Sequence, residues 1–229
     1  MAAMREPTPP TGQQKITLGE MRSSGVRGLL VYCADYRCAH AVRISADRWP
    51  DQIRLSDLEA PFYLHPRMQI PARAQPYDGH PWLMSSPWGF AVETSIHALR
   101  LCGSGLFDDF PKLKIIIGHL GEHIPYDLWR IDARMRFSPR GYTGKRPLGQ
   151  YFLDHFYVTT SGNFCDPAFR CALEVMGVDR LMFSADYPFE RMEDAANWFD
   201  KTLLPDSQRL QIGRTNAIKL FKLNLAADV

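Results

Sequence analysis

The sequence has no apolar run approaching the roughly 20 residues that a membrane-crossing helix requires. Its longest, Gly28 to Cys33 and Ile115 to Ile117, fall far short of that, so a helical membrane span is excluded and no membrane partner is expected. Blocks of Lys or Arg are missing as well. The 27 basic and 25 acidic side chains leave a formal net charge of only +2, which removes the electrostatic case for binding nucleic acid. There is no CxxC pair, and the five cysteines (Cys33, Cys38, Cys102, Cys165, Cys171) are odd in number. Both facts argue against a disulfide framework and a cysteine zinc site, and they fit a reducing, cytoplasmic setting. The first 15 residues, Met1 to Lys15, lack the apolar stretch of a secretory signal and carry three prolines. They read as a disordered lead-in to one domain over residues 16–229, because a chain of 229 residues, 45% apolar, supports a single sizeable core.

What the chain does contain is an alternation of short apolar runs with helical patterns. Residues 16–24 read as a helix feeding a buried strand at Leu29 to Tyr32, and Pro61 to Leu64 reads as a second strand. Asp51 to Leu58 has a weaker helical look. The loop from Met68 to Trp88, rich in Pro, Tyr, Trp and Gly, is long for a plain connector and suits a functional or interface role. A helix follows over Phe90 to Leu101, then strands at Leu113 to Ile117 and Phe156 to Thr159. The clearest helix is capped by Asp166 with Pro167 at its first position, shows Phe169, Ala172, Leu173 and Met176 on one face, and is stopped by Gly177. A fifth strand at Leu181 to Ser184 and helical stretches over Met192 to Leu203 and Asp206 to Phe221 complete the order.

Strands of four to six apolar residues between helices imply a parallel sheet covered on both faces. His65, His119 and Asp186 each fall at or just past the C-terminal end of a different strand. In a β/α barrel those ends gather at one mouth, so the fold class expected is α/β, an incomplete (β/α)8 TIM-type barrel of about five parallel strands. Singly, each residue also has a bland reading: a histidine after a strand can be a hydrogen-bonding loop residue, and Asp186 can cap the helix beginning near Glu190. Together, two imidazoles and a carboxylate suit a divalent ion such as zinc, with a position left open for water or substrate. His40, His80, His97, His123 and His155 lack that context and read as structural.

Several ordered motifs carry a resemblance: Phe62-Tyr63-Leu64-His65-Pro66-Arg67, Tyr77-Asp78-Gly79-His80-Pro81-Trp82, Ile117-Gly118-His119-Leu120-Gly121-Glu122, Trp129-Arg130-Ile131-Asp132, Thr159-Thr160-Ser161-Gly162-Asn163-Phe164, Ser184-Ala185-Asp186-Tyr187-Pro188-Phe189-Glu190 and Ile212-Gly213-Arg214-Thr215-Asn216-Ala217. Over Ala60 to Leu223 the chain resembles the amidohydrolase-related aromatic-acid decarboxylases, the γ-resorcylate, 2,3-dihydroxybenzoate and salicylate decarboxylases among them. The resemblance implies a β/α barrel that removes carbon dioxide from a small ortho-hydroxylated benzoate with one divalent metal (Zn, Mg or Mn), in a homo-oligomer. It puts His65 and Asp186 at metal-ligand positions and makes Asp186 the acid that protonates the ring carbon bearing the carboxylate. It sets His119 in the substrate pocket with Glu122 as its partner. Arg130 is a candidate for holding the substrate carboxylate, its alternative being an ion pair with Glu122 or Asp132; Phe189, Pro188 and Trp88 are candidate apolar walls.

The chain also departs from that pattern. The family begins with a strand bearing a Glu-x-His pair that supplies further metal ligands, and the nearest counterpart here, Lys15 to Met21, has Gly19 and Met21 in those places. Neither binds a hard divalent ion. The preferred alignment makes residues 16–32 the helix and fourth strand of the barrel. Two other readings therefore stand beside a decarboxylase: an inactive remnant that binds an aromatic acid or assembles with a full-length paralogue, and a metal-free enzyme using His119 and Asp186 as an acid/base pair.

Overall fold

A computed structural model describes residues 17–23, 25, 28–32, 41–45, 47, 50–52 and 61–223. The expected lead-in and nearly all of the weak helix at 51–58 lie outside the described residues. Where the sequence suggests one domain, the chain divides into two compact units, residues 1–59 and 60–229.

The first unit holds helix α1 (Leu18–Ser23) and strands β1 (Gly28–Tyr32) and β2 (Ala41–Ser45). α1 opens with a reciprocal capping box: Thr17 Oγ1 accepts from the Glu20 backbone N–H at 3.1 Å, and the Glu20 carboxylate accepts from the Thr17 N–H at 2.7 Å. β1 pairs antiparallel with β2, Leu30 opposite Arg43. This corrects the reading of residues 16–32 as a barrel helix and its strand. A five-residue apolar run fixes a strand but not its partner, and here the partner comes from the stretch that follows it.

The second unit is built on a parallel four-stranded sheet in the order β3-β4-β5-β6, with β3 Phe62–Leu64, β4 Ile115–Ile117, β5 Phe156–Thr159 and β6 Leu181–Met182. Of the five strands expected in one sheet, the last four are in it. Register runs Leu64 to Ile117 to Val158, so the C-terminal ends of β3, β4 and β5 lie level. The flanking helices are α2 (Gly89–Gly103), α3 (Leu106–Asp109), α4 (Ile124–Phe137), α5 (Leu148–His155), α6 (Asp166–Met176), α7 (Met192–Lys201), α8 (Asp206–Leu210) and α9 (Asn216–Phe221), with one π turn, Gln211–Thr215, joining the last two.

β4 is three isoleucines because it is covered on both faces: Ile115, Ile116 and Ile117 are all buried, as are Phe156, Val158 and Leu181 on its neighbours. Each such side chain contributes about 1.5–3 kcal/mol by leaving water. α6 turns Phe169, Ala172 and Met176 inward, as its periodicity predicts, and ends at Gly177 with φ 75°. Its N-cap is Cys165 rather than Asp166, since the Asp166 carboxylate instead accepts from Trp198 Nε1 at 2.8 Å and ties α6 to α7. β6 is shorter than its apolar run, because beyond it Phe183 N–H donates to Ile212 O at 2.9 Å and Ser184 N–H to Thr160 Oγ1 at 2.9 Å. Buried Asn216 anchors that edge, donating from Nδ2 to Val178 O and Leu181 O at 2.7 Å each. Among the described residues no helix is long and apolar enough to cross a membrane.

Candidate active site at the strand ends

Each of three strand tips delivers one expected residue. β3 runs directly into His65, β4 passes through Gly118 to His119, and β6 leads through Phe183 to Asp186. The chain after β4 is sharply bent: a single 3-10 turn spans His119–Gly121, with φ 51° at His119, 56° at Leu120 and 58° at Glu122. Asp186 has φ 72°. Side-chain-bearing residues in this region cost about 1–3 kcal/mol each and persist where surroundings hold them, which happens most at functional sites.

That bend brings His119 between two carboxylates. Its Nδ1 lies 2.8 Å from Glu122 Oε1, and its Nε2 lies 3.5 Å from Asp186 Oδ2. The Glu122 side chain is 3% exposed, while His119 and Asp186 each keep 27%. The Glu122–His119–Asp186 line therefore has a buried end and an open end. Burial pulls the His119 imidazolium towards neutrality, but the hydrogen bond and charge of Glu122, with Asp186 adding to both, outweigh it and hold the pKa above its ordinary value. An imidazole so placed carries a proton readily and can pass it along the Glu122–His119–Asp186 line. Gly162, at φ 63°, sits against the pair: a Cβ there would lie 2.8 Å from His119 Cδ2 and 3.1 Å from Asp186 Oδ2, so only glycine lets the β5 exit approach this closely.

His65 stands exposed at the tip of β3, its Nδ1 2.9 Å from Pro66 O. A backbone carbonyl there fixes Nδ1 as the donor and leaves the Nε2 lone pair free, the arrangement common in metal-binding histidines. A complete metal centre does not follow. Among the described residues no group of three His, Cys, Asp or Glu side chains could hold a metal ion, and both nitrogens of His119 face carboxylates. The residues present fit part of a coordination sphere and fall short of the three protein ligands a catalytic zinc-type site uses.

The remaining candidates lie further out. Arg130 is exposed on α4 and does not pair with Glu122, which His119 holds, or with Asp132, whose carboxylate accepts from Gly149 N–H at 3.0 Å. Pro188 and Phe189 follow a cis Tyr187–Pro188 bond in a turn closed by Phe189 N–H donating to Asp186 O at 2.9 Å. Phe189 is 77% exposed and Trp88 45%, so neither encloses a pocket among the described residues; Trp88 instead packs edge-on against His123 at 4.4 Å. Sequence reasoning missed a cluster of hydroxyls beside the pair. Tyr63, Thr159 and Ser161 bond one another there, and burial, helped by the charges of Asp186 and Glu122, pushes the Tyr63 phenol up although its hydrogen bonds to Ser161 and Thr159 oppose this. The signal available was Thr159-Thr160-Ser161 at a strand exit facing a tyrosine two strands away.

Similar proteins give these positions a setting. The amidohydrolase family model matches residues 20–223. The chain is 49% identical over 182 residues to a γ-resorcylate decarboxylase of Polaromonas sp., covering 78% of this chain and 56% of that one. To the γ-resorcylate decarboxylase of Rhodococcus jostii it is 51% identical over 169 residues, 73% of this chain and 51% of that one. Among solved structures it superposes with a TM-score of 0.72 on 2,6-dihydroxybenzoate decarboxylase from Rhizobium, at 48% identity over 75% of this chain and 54% of that one. With a dihydroxybenzoic acid decarboxylase from Polaromonas sp., crystallised with manganese and the inhibitor 2-nitroresorcinol, the TM-score is 0.73 at 46% identity, over 90% of this chain and 64% of that one. The chain thus spans about half the length of the sequence relatives it matches. A family match over most of its residues, on a partial parallel β/α sheet shared with barrel decarboxylases, means that this chain belongs to the amidohydrolase family.

Proposed function

We propose that this chain acts as a non-oxidative decarboxylase of a small ortho-hydroxylated benzoate, a carbon-carbon lyase. The observation that carries the reading is His119 held between Glu122 and Asp186 at the strand ends. Decarboxylation of a phenolic acid needs a proton on the ring carbon bearing the carboxylate, after which the C–CO2 bond breaks, its electrons restore the aromatic ring and carbon dioxide leaves. Asp186, at the open end of the line, is the proposed acid. His119, holding a proton through Glu122, reprotonates it between turnovers. Arg130 is the proposed partner of the substrate carboxylate, and Trp88, Pro188 and Phe189 the apolar residues that line the ring once it is bound.

The solved relative named with manganese supports a divalent ion in this fold. Here His65, through its free Nε2, and Asp186 are the proposed ligands, and the ion, manganese, magnesium or zinc, would chelate the substrate's carboxylate and ortho-hydroxyl. Because the described residues supply no third ligand, no step above passes through it. Self-assembly is proposed through the loop at Met68 to Trp88, where Ile70 and Trp82 are exposed; the free thiols of Cys102, Cys165 and Cys171 support a reducing, cytoplasmic setting.

The test is direct. The purified chain is incubated with 2,6-dihydroxybenzoate, 2,3-dihydroxybenzoate and salicylate, each with and without added manganese, magnesium or zinc, and carbon dioxide release is followed. Turnover of at least one acid is expected; no release under any of these conditions overturns the reading.

A further inference from the structure

Neighbouring strands of a sheet lie about 4.8 Å apart, so two strands separated by a third are roughly twice that distance and seldom touch. Across β4 they do. Tyr63 Oη, from β3, is 3.1 Å from Thr159 Oγ1 and 3.2 Å from Ser161 Oγ, which belong to β5 and its exit, and those two hydroxyls are 2.8 Å apart. Three hydroxyls, each with one hydrogen and two lone pairs, close a ring in which every member donates once. Thr159 is 4% exposed and Ser161 1%, so the β5 end of the bridge is shielded from water, while Tyr63 itself is 44% exposed.

The bridge depends on what β4 lacks. The residue at the crossing point is Gly118, and a Cβ there would lie 3.0 Å from Ser161 Oγ and 3.1 Å from Tyr63 Oη. A side chain at 118 would press on the bridge from below. On one side of the bridge, His65 follows two residues after Tyr63; on the other, Gly162 follows Ser161 and abuts both His119 and Asp186.

We propose that Tyr63 is a positioning residue: its hydroxyl, reaching over Gly118 to Thr159 and Ser161, fixes the His65 strand tip relative to the turn that holds the His119–Asp186 pair. The catalytic meaning of the tie rests on the decarboxylase reading; the tie itself does not. A phenyl ring at 63 keeps the packing and removes the one atom that spans β4, so the hydroxyl can be tested apart from the ring.

The experiment compares the parent chain with Tyr63→Phe, Ser161→Ala and Ser161→Thr by hydrogen exchange over residues 60–68 and 160–164, with α6 as internal reference. Losing the hydroxyl is expected to speed exchange in both segments by about fivefold, the equivalent of one net hydrogen bond, and to leave α6 unchanged. Ser161→Ala should do the same from the opposite side, and Ser161→Thr, which keeps the hydroxyl, should behave as the parent. Where the parent decarboxylates, Tyr63→Phe is expected to lower kcat about tenfold with KM within about twofold, since displacement of reacting groups acts on the chemical step. Parent-like exchange in Tyr63→Phe, or acceleration in 60–68 alone, overturns the proposal. If the parent turns over no substrate, the decarboxylase reading falls while the exchange comparison still decides the tie.

Discussion

Two histidines sit at opposite ends of the same sheet, one just beyond β4 and one just before β5, and they are treated in opposite ways. His119 stands between two carboxylates on a strained turn, partly open, with its pKa raised. His155 is 3% exposed, stacked on Phe107 at 4.2 Å, with Nδ1 2.9 Å from Leu113 O. Burial, reinforced by Lys114 and Arg146, lowers its pKa, the backbone hydrogen bond to Leu113 and Asp154 only partly opposing this. One end of the sheet favours a protonated imidazole within reach of solvent; the other buries a ring whose charged form is disfavoured. In the proposed function the same residue type serves chemistry or packing according to the charges and chain geometry around it, the division a β/α barrel makes between its mouth and its floor.

That contrast can be broken most severely at the mouth. Asp186→Asn tolerates the positive φ and removes the acid, so decarboxylation should fall by about a thousandfold with little change in Tm. Comparable turnover in the variant would remove Asp186 from the chemistry. At the floor, Phe107→Ala should cost about 3 kcal/mol or more of stability, read from denaturant midpoints, while kcat of the folded fraction stays near the parent's; a matching loss of kcat would mean the two ends are not separable. Glu122→Gln keeps the shape of the buried partner but not its charge, and kcat should drop about tenfold or more as His119 holds its proton less well. The smallest effect concerns acid. Because the folded-state pKa of His155 is lowered, its contribution to stability is present above the ordinary imidazole value, 6.5, and is lost as pH falls through the folded value. Tm should therefore decline as pH falls from 6.5 to the folded value, and less so in His155→Gln; an equal decline in both would assign the acid sensitivity elsewhere.

Much of this was legible in the chain. β3, β4 and β6 are short apolar runs that lead to His65, His119 and Asp186, and the family resemblance of Gly118-His119-Leu120-Gly121-Glu122 implied Glu122 as the partner that His119 meets at 2.8 Å. His155 reads as structural because it lacks the C-terminal end of a strand, and the structure buries it against Phe107. What the sequence hid was whatever depends on partners far along the chain. Leu29 to Tyr32 has the composition of a barrel strand yet pairs with Ala41–Ser45, because pairing is decided by neighbours and not by the run itself. Trp88 and Phe189 look like pocket walls by type, but enclosure is a property of the surrounding surface, and both are exposed. Convergence of three metal ligands was expected from three strand tips; the structure joins His119 with Asp186 and leaves His65 turned to its own neighbour's carbonyl. The hydroxyl ring over Gly118 escaped notice since its members are 96 and 98 positions apart.

The backward-wound turn from His119 to Glu122 also sets the order in which the molecule gives way. Here His119, Leu120 and Glu122 hold side chains in a conformation that glycine adopts freely, and Gly121 between them lies so close to Pro125 and Val158 that a Cβ there would not fit. On warming, the mouth should loosen while the isoleucine layer beneath it is still intact, so that the proposed decarboxylation disappears before the fold does.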